Sequence, residues 1–543
     1  MKPSTLKLGI FGLLLGLSLV RGLLYSAIIP PWQAPDEPKH FEYLRTLYEQ
    51  RRLVGPADIS LAVQHRILAS MHTHNFWAFW IGAGDPNNPL NDPDVFASAW
   101  AKGNKTGLSE VGRVPPLYFI IAALSQLLAS EDITVQLYSA RLVSIMLGML
   151  VVFIALLTAR ELFPGDDFLI IGIPFFVAFL PMYTFITSSV HPDSLACLLT
   201  SLVLYVIING FKHGFTWWRT LAIAGLIVLG ALAKKTTIIT FPIAILAIAF
   251  HLWTKRAKIP VWRCLRLAIG VIVTGVLLGS WMLSQWHDRI QSLLKYAYSY
   301  LFYYSGMAKD ILRNMLPRSE NLELYRINLR QMFESFWARF GWLNIRLDDF
   351  WYRAISLVCL AALVGLLPSL YRLMMRKPGL LAPWQKKSLL LFFLSIALMF
   401  LITLAFFSAY FSNLRLTLVQ GRYLFPAIIP IATFFMLGLR EIFPPRLRRW
   451  GLLAWVAGLF LFDALSMLFY IVPFFYGQGI STTSLEAAGL LLDRLAENKP
   501  LLWGSKRFYA LLSSLYLMLF GLFLWLILRT PSNPSEAEME TRQ

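Results

Sequence analysis

Charged residues are scarce in this sequence. Only 15% of its 543 residues are Asp, Glu, Lys or Arg, whereas a soluble domain carries about 25%. Acidic residues are the rarer kind, 30 against 49 basic ones, so the formal net charge is +19. Because 57% of the chain is hydrophobic, the composition excludes a soluble enzyme. The basic excess is typical of the cytoplasmic loops of a membrane protein, and we expect no nucleic-acid partner.

Cysteine is almost absent as well. The three cysteines are Cys197, Cys264 and Cys359, and each lies in or beside an apolar run. Their spacing matches neither a disulfide framework nor a zinc site. We therefore interpret them as small core residues.

Long apolar runs are abundant. A run of roughly 18–24 residues can cross a hydrocarbon core of about 30 Å as a helix. The first run, residues 8–29, is too long for a signal-peptide core and lacks a convincing cleavage site, so we expect it to be retained. The predicted fold class is an all-α polytopic membrane protein with twelve spans: 8–29, 139–160, 168–188, 192–210, 218–234, 236–253, 263–285, 352–371, 388–411, 422–439, 450–472 and 507–528.

Basic residues cluster mainly in every second connection between the predicted spans. With a cytoplasmic N-terminus, the basic clusters at 160, 212–219, 255–266, 372–387 and 440–449 all fall on inner loops, as the positive-inside rule requires. Residues 115–130 could form a thirteenth span, but counting them would move the later clusters outside. We interpret 115–130 as an interfacial helix within the first outer segment. The expected location is a bacterial plasma membrane.

Three outer segments are long, namely 30–138, 286–351 and 473–506. The first is rich in Trp, His, Pro and Asn, which predicts a folded cap. In the third, the capping-box pattern TSLE at 483–486 precedes an apolar run and predicts a short amphipathic helix on the membrane. Residues 531–543 are polar and predict a disordered cytoplasmic tail.

Polar residues at the outer ends of spans are the candidate functional residues, because ionisable groups at that depth usually face a cavity or a partner. Asp36 and Glu37 follow the first span, among prolines that hold the chain out of a helix. One carboxylate could act as a general base and the other could hold a metal. The alternative is a solvated acidic turn.

His191 and Asp193 flank a proline between the third and fourth spans, on the same predicted face. They could be metal ligands or acid–base partners. Alternatively, Asp193 could simply cap the next helix.

Cations gather at this face too. Lys234 and Lys235 occupy a short outer connection, against the positive-inside rule. With Arg141 and Arg422, also at outer span ends, they could bind a phosphate. The alternative is contact with lipid headgroups.

Four stretches carry a family resemblance: PDEPKHFEY at 35–43, RVPPLYF at 113–119, HPDSL at 191–195 and QGRYLFPAIIP at 420–430. In order and spacing they resemble a group of bacterial proteins within the GT-C superfamily of membrane glycosyltransferases, which use polyprenyl-phosphate-linked sugars. The arrangement is similar to that of aminoarabinose transferases and protein O-mannosyltransferases, in which acidic motifs follow the first and third spans.

The resemblance implies roles for individual residues. Asp36 would be the base, with Glu37 beside it, and Asp193 and His191 would line the same site. Substrate contacts, mainly to the donor phosphate, would come from Lys234, Lys235, Arg422, Tyr423 and Arg141. His40 is a candidate ligand for a divalent metal, whose use differs between members of the superfamily.

The resemblance also implies a domain organisation and an activity. A GT-C-like catalytic module would cover residues 1–440, followed by C-terminal helices in 441–530. The module would transfer a sugar from a polyprenyl phosphate to a hydroxyl of a glycan, lipid or protein acceptor at the outer face, with inversion. A transporter or flippase of lipid-linked sugars, or a non-catalytic protein of envelope-glycan assembly, are the alternatives.

Overall fold

A computed structural model describes residues 3–80, 92–101, 109–254, 322–374, 381–412, 419–477, 485–497 and 499–529. In these ranges the chain is almost entirely helical, with one antiparallel pair of two-residue strands, β1 (Arg339–Phe340) and β2 (Ile345–Arg346). The helices of the first half are α1 (Pro3–Ile28), α2 (Glu37–Gln50), α3 (Leu61–Thr73), α4 (Phe76–Phe79), α5 (Pro93–Ala101), α6 (Leu117–Ala123), α7 (Ile133–Leu162), α8 (Asp167–Phe179), α9 (Pro181–Thr187), α10 (Asp193–His213), α11 (Trp217–Ala233) and α12 (Thr240–Thr254).

The second half adds further helices: α13 (Leu322–Trp337), α14 (Asp349–Met374), α15 (Pro383–Ser412), α16 (Ile428–Ile442), α17 (Arg448–Leu465), α18 (Val472–Tyr476), α19 (Leu485–Ala496) and α20 (Lys506–Arg529). Short 3-10 helices cover Pro56–Asp58, Leu124–Leu127, Lys235–Ile239, Gly421–Ala427, Pro445–Leu447 and Leu501–Gly504, and a π-helical stretch, Ser466–Ile471, links α17 to α18.

Within the described ranges, eight helices are long and apolar enough to cross a membrane, and a bent pair raises the number to nine. The predicted class, an all-α polytopic membrane protein, is confirmed. The predicted spans 218–234 and 236–253 correspond to shorter apolar helices, and 263–285 lies outside the described residues. The count of twelve therefore stays a prediction.

The bent pair is α8 and α9, which meet at 58°. Leu180 between them is extended because it precedes Pro181, and a residue before proline avoids the helical region. The bend frees the carbonyl groups of Ala178 and Phe179, and both accept hydrogen bonds from Arg21 of α1.

Arg21 also forms the central ion pair of the helix bundle. Its guanidinium donates to Asp463 of α17 through Nε at 2.7 Å and Nη2 at 2.5 Å, and both side chains are fully buried. Tyr25 and Tyr516 donate to the same carboxylate at 2.7 and 3.2 Å. The arginine inside the first span thus finds its partner in the C-terminal helices, which pack directly on α1.

The C-terminal part also holds the outer end of α1. Lys499 donates to the carbonyl oxygen of Ala27 at 2.5 Å, and Tyr476 donates to that of Ile28 at 2.7 Å. These carbonyls close the last turn of α1, where no intrahelical donor remains. The chain leaves α1 from a fixed position as a result.

The segment between α1 and α7 contains the short helices α2 to α6, which we call the cap. Trp80 packs edge-to-face on Phe96 at 5.1 Å between ring centroids, and Trp100 donates to the buried Glu42 at 3.0 Å. Residues Leu117–Leu127 form a short apolar helix about 16 Å long at 1.5 Å per residue. That is roughly half of the hydrocarbon thickness, which favours the interpretation of 115–130 as an interfacial helix.

Candidate active site

The site is built on the loop between α1 and α2. Trp32 and Asp36 both have positive φ, 71° and 62°, a region that is costly for a bulky residue such as Trp. The strain is held by packing, since the Trp32 indole donates to Ser70 at 3.0 Å and Gln33 donates to the carbonyl oxygen of Phe76 at 3.0 Å. The cap thus fixes the position of Asp36.

Glu37 holds this loop in place through buried hydrogen bonds. Its carboxylate accepts from Arg141 through Nε at 2.8 Å and Nη2 at 2.6 Å, and from the backbone N–H of Val190 at 3.1 Å. Both charged side chains are fully buried. Both oxygens of Glu37 thus have partners, an arrangement that favours a structural role for Glu37 beside Asp36 over the catalytic role expected.

Arg141 is equally occupied. Besides Glu37, it donates to the carbonyl oxygens of Ser26, Ile29 and Pro30 at 2.9–3.1 Å. All five N–H donors of a guanidinium are thereby used. The expected phosphate contact of Arg141 is corrected accordingly: this arginine ties the end of α1 to α7 and α2.

Asp36 differs from its neighbour in being accessible, with 27% of its side chain exposed. Arg422 donates to one of its oxygens at 3.0 Å and Lys39 to the other at 3.4 Å. Burial alone would raise the pKa of Asp36, but Lys39 and Arg422 outweigh it and hold the pKa well below its usual range. The carboxylate is therefore ionised at neutral pH.

Arg422 connects Asp36 to the His191–Asp193 pair. Its Nη1 donates to His191 Nε2 at 2.9 Å, and Nδ1 of the same ring lies 3.2 Å from the backbone nitrogen of Asp193. Nδ1 also lies 3.1 Å from Asp193 Oδ2. Burial, followed by the charge of Arg422, lowers the pKa of His191 well below its ordinary value.

Asp193 in turn forms a close ion pair with Lys234. Asp193 opens α10 and Lys234 ends α11. A continuous chain of contacts therefore runs from Asp36 through Arg422, His191 and Asp193 to Lys234, and it joins four segments that are distant in sequence.

The QGRY motif places Arg422 with little freedom. The N–H of Gly421 donates to Ser335 Oγ of α13 at 2.8 Å, and Gln331 donates to the carbonyl oxygen of Val419 at 3.0 Å. A side chain at Gly421 would overlap with the backbone of Phe336, which is why glycine is required here. The guanidinium of Arg422 lies 5.6 Å from the ring of Tyr423.

Three site residues were missed by the motif argument or given another role. Lys39 faces Asp36, and His40 lies between the carbonyl oxygen of Val190, at 2.9 Å from Nδ1, and Glu110, at 3.1 Å from Nε2. Lys39 and His40 are within PDEPKHFEY and could have been found there. Glu110 belongs to no motif and lies just before RVPPLYF.

The metal expectation rested on His40. Both of its ring nitrogens already have protein partners in this arrangement, the carbonyl oxygen of Val190 and the carboxylate of Glu110. Within the described ranges no group of three or more His, Cys, Asp or Glu side chains could hold a metal ion. The described residues around His40 therefore do not fit a metal centre.

Lys235 adds a cation with an altered pKa. Burial lowers the pKa of Lys235 to about 8, and Glu110 opposes that shift. The cations of the site are Lys39, Lys234, Lys235 and Arg422, and the carboxylates are Asp36, Glu110 and Asp193. Cations outnumber carboxylates, which suits an anionic ligand.

The family model described as "Predicted membrane protein (DUF2142)" matches residues 19–431. The chain belongs to this family. The matched part of this DUF2142 protein contains the whole site, from Asp36 to Arg422, whereas Asp463 and Lys499 lie beyond it.

No curated protein matches the sequence. Among solved structures, ArnT from Cupriavidus metallidurans bound to undecaprenyl phosphate is similar at 15% identity, with a TM-score of 0.42, over 95% of this DUF2142 chain and 75% of that chain. ArnT in the apo state is similar at 15% identity, with a TM-score of 0.41, over 93% of this chain and 71% of that one.

Proposed function

We propose that this protein is a membrane glycosyltransferase that moves a sugar from a polyprenyl phosphate to an acceptor hydroxyl at the outer face. The observation that carries the proposal is the pairing of Asp36, an accessible ionised carboxylate, with Arg422 inside a cluster of cations. The resemblance of the four motifs to the GT-C superfamily supports the same chemistry.

The cations would bind the donor phosphate, which is the leaving group. A phosphate departs as an anion and needs charge stabilisation rather than protonation. Among the described residues, none accepts a hydrogen bond from the buried Nε–H of Arg422, and Lys234 and Lys235 lie at the same end of α11. These donors could close around a phosphate with little rearrangement, so the site is preorganised for the leaving group.

Donor binding would also prepare the base. A carboxylate whose pKa lies far below neutral is a poor proton acceptor, and in the absence of ligand Lys39 and Arg422 keep Asp36 in that condition. A phosphate that takes over these two cations would raise the pKa of Asp36 toward its ordinary range. Asp36 could then accept the proton of the acceptor hydroxyl only when a donor is present, which would protect the donor from wasteful hydrolysis.

The same geometry supports a single displacement with inversion. The double-displacement route requires a second free carboxylate as nucleophile. Glu37 is bound by Arg141, and Asp193 by Lys234. The remaining carboxylate, Glu110, contacts His40 at 3.1 Å. Asp193 is therefore a positioning residue in this scheme, since it holds His191 and Lys234 in place around the phosphate.

The expected partners are a polyprenyl-phosphate sugar in the outer leaflet and a glycan, lipid or protein acceptor. The lipid tail would lie between spans while its phosphate meets the cations. The distribution of basic loops in the sequence supports placement of the site on the outer face of the membrane, and the family resemblance supports a bacterial plasma membrane.

The test is transfer by the purified protein in vesicles. A panel of polyprenyl-phosphate sugars with candidate acceptors is incubated with the wild type, and products are identified by mass spectrometry. Asp36→Asn should abolish product formation while retaining donor binding, and Asp94→Asn, an exposed aspartate of α5 in the same cap, serves as the matched control. Full activity of the Asp36 variant would refute the base assignment, and donor movement across the vesicle without product would favour a transporter.

A further inference from the structure

A second cationic cavity lies at the first turns of α14, apart from the Asp36 site. Its volume is about 310 Å³, and its walls come from α13, from β2 and from α14. The lining residues used below are Arg330, Glu334, Arg346 and Arg353. We refer to it as the arginine pocket.

The arginine pocket is organised around a buried carboxylate. Glu334, with only 3% of its side chain exposed, accepts from Arg330 at 2.9 Å, from Arg346 at 2.7 and 3.0 Å, and from Arg339 at 3.1 Å. Three guanidinium groups are thus held in place by a single anion. A fixed group of arginines is a better anion site than mobile surface lysines, because less side-chain entropy is lost on binding.

Donors remain unused in this pocket. Arg353 makes no hydrogen bond within the described part of the chain, and it is exposed at the rim. Arg330 is 63% exposed beyond its contacts with Glu334 and Asp349. The lining arginines outnumber the two lining carboxylates, so the cavity retains a positive charge.

Below the pocket, α14 presents an apolar face. Leu357, Leu360, Val364 and Leu367 are all exposed, and their spacing of three and four residues continues the face on which Arg353 lies. The opposite face of α14 packs against α16, where a side chain at Gly438 would overlap with the carbonyl oxygen of Ala362. A positive pocket therefore stands directly above an apolar strip of a membrane-spanning helix.

We propose that the arginine pocket binds the phosphate of an anionic phospholipid of the surrounding bilayer, with its acyl chains along the Leu357–Leu367 strip. Charge and shape identify this occupant: the arginines suit phosphate oxygens, and the strip suits hydrocarbon. A soluble anion would use the pocket without the strip, and a zwitterionic lipid would use the strip without the net charge.

The occupant would act on the same helix that positions Arg422. Glu334 and Ser335 are adjacent on α13, and Ser335 accepts the hydrogen bond from Gly421. A phosphate that bridges Arg330 and Arg353 would fasten α13 to α14. This second site does not depend on the proposed transfer reaction, since in the described part of the chain its arginines pair with Glu334 and Asp349 and not with Asp36.

The experiment measures lipid binding by native mass spectrometry of the purified full chain in detergent. The probes are dioleoyl phosphatidic acid, dioleoyl phosphatidylcholine and inorganic phosphate. The variants are Arg353→Gln, which leaves every contact of Glu334 in place, and the double variant Arg330→Gln/Arg353→Gln. Arg326→Gln, a highly exposed arginine on the same helix α13, is the control with the same change of charge.

The wild type and Arg326→Gln should bind phosphatidic acid alike, and Arg353→Gln should bind it roughly tenfold more weakly, because one charge-assisted contact to the phosphate is lost. The double variant should lose more. Equal binding by all proteins, or an equal loss in Arg326→Gln, overturns the pocket. Equal binding of phosphatidylcholine overturns the charge argument, and full competition by inorganic phosphate overturns the role of the apolar strip.

Discussion

Arg422 donates a hydrogen bond to Asp36 over 3.0 Å, although 386 residues separate the two in the chain. The same guanidinium donates to His191. The planar guanidinium of Arg422 therefore holds the carboxylate of Asp36 and the ring of His191 at fixed positions relative to each other.

Replacing Arg422 with lysine should lower transfer by about 100-fold, the loss typical for removal of one transition-state donor. A lysine keeps the charge but cannot bridge two acceptors in the planar geometry of a guanidinium. Steady-state kcat/KM with the best donor of the panel measures the effect. Arg440→Lys, an arginine at the opposite end of α16 paired with Asp166, is the matched control and should retain most of the activity. A variant at Arg422 with wild-type kcat/KM would contradict the bridging role.

Donor binding should weaken as the pH rises through about 8. Burial lowers the pKa of Lys235 to about 8, so its positive charge is present below that pH and is lost above it. Glu110 opposes the shift, and Arg422, whose pKa lies above its ordinary value, keeps its charge over the same range. Between pH 7 and 9 the dissociation constant for the donor should increase up to roughly tenfold, as expected for one titrating cation. Isothermal titration at several pH values measures it.

The control for this pH effect is Lys235→Arg, which places a permanently charged group at the same position. Its donor affinity should be nearly flat from pH 7 to 9. If the wild type is equally flat, Lys235 does not contact the phosphate, and the interpretation as a lipid-headgroup contact would replace it.

Glu37→Gln should destabilise the fold rather than remove a chemical step. It leaves Arg141 buried without a counter-ion, a loss that is about 3–5 kcal/mol for a buried pair. Unfolding in mild detergent, followed by tryptophan fluorescence, should show the decrease, whereas Glu131→Gln at an exposed position of the cap should not. Stability equal to the wild type, together with abolished transfer, would restore a catalytic role for Glu37.

Asp463→Asn should act in the same way at the centre of the bundle. The variant removes the counter-charge of Arg21, and both residues are fully buried. We expect a decrease of about 3–5 kcal/mol and a lower yield of folded protein. The fraction that folds should bind the donor with unchanged affinity, because in the described ranges Asp463 is hydrogen-bonded to Arg21, Tyr25 and Tyr516 and not to the Asp36 site. Weakened donor binding in the folded fraction would show that the central ion pair reaches the site.

The sequence predicts which residues share the site better than it predicts which side chains pair with each other. Topology placed Asp36, His191, Asp193, Lys234 and Arg422 on one face, and the structure brings these five together. Periodic apolar runs and basic loops are strong signals, because the bilayer imposes them on every span. The class of fold was predictable for the same reason.

The roles of Glu37 and Arg141 were not predictable. The residues Asp36-Glu37 are compatible both with an exposed acidic pair and with a buried ion pair. Only the approach of α7, which carries Arg141, decides between the two. Glu110 was missed for a similar reason. It is a site residue only because it contacts His40 at 3.1 Å, and His40 lies 70 positions earlier in the chain. Long-range pairing of charges leaves no periodic trace in a single sequence.

The hold of Lys499 and Tyr476 on the last turn of α1 has a consequence for how the molecule can be divided. A chain cut after residue 440 would keep every side chain of the site, yet the first span would lose both its central ion pair and its terminal clasp. The loop that carries Asp36 would then start from an unsecured helix. The residues of the site and the residues that support them thus lie in different parts of the polypeptide. A chimera that exchanges the part before residue 440 between relatives would also need the matching C-terminal helices.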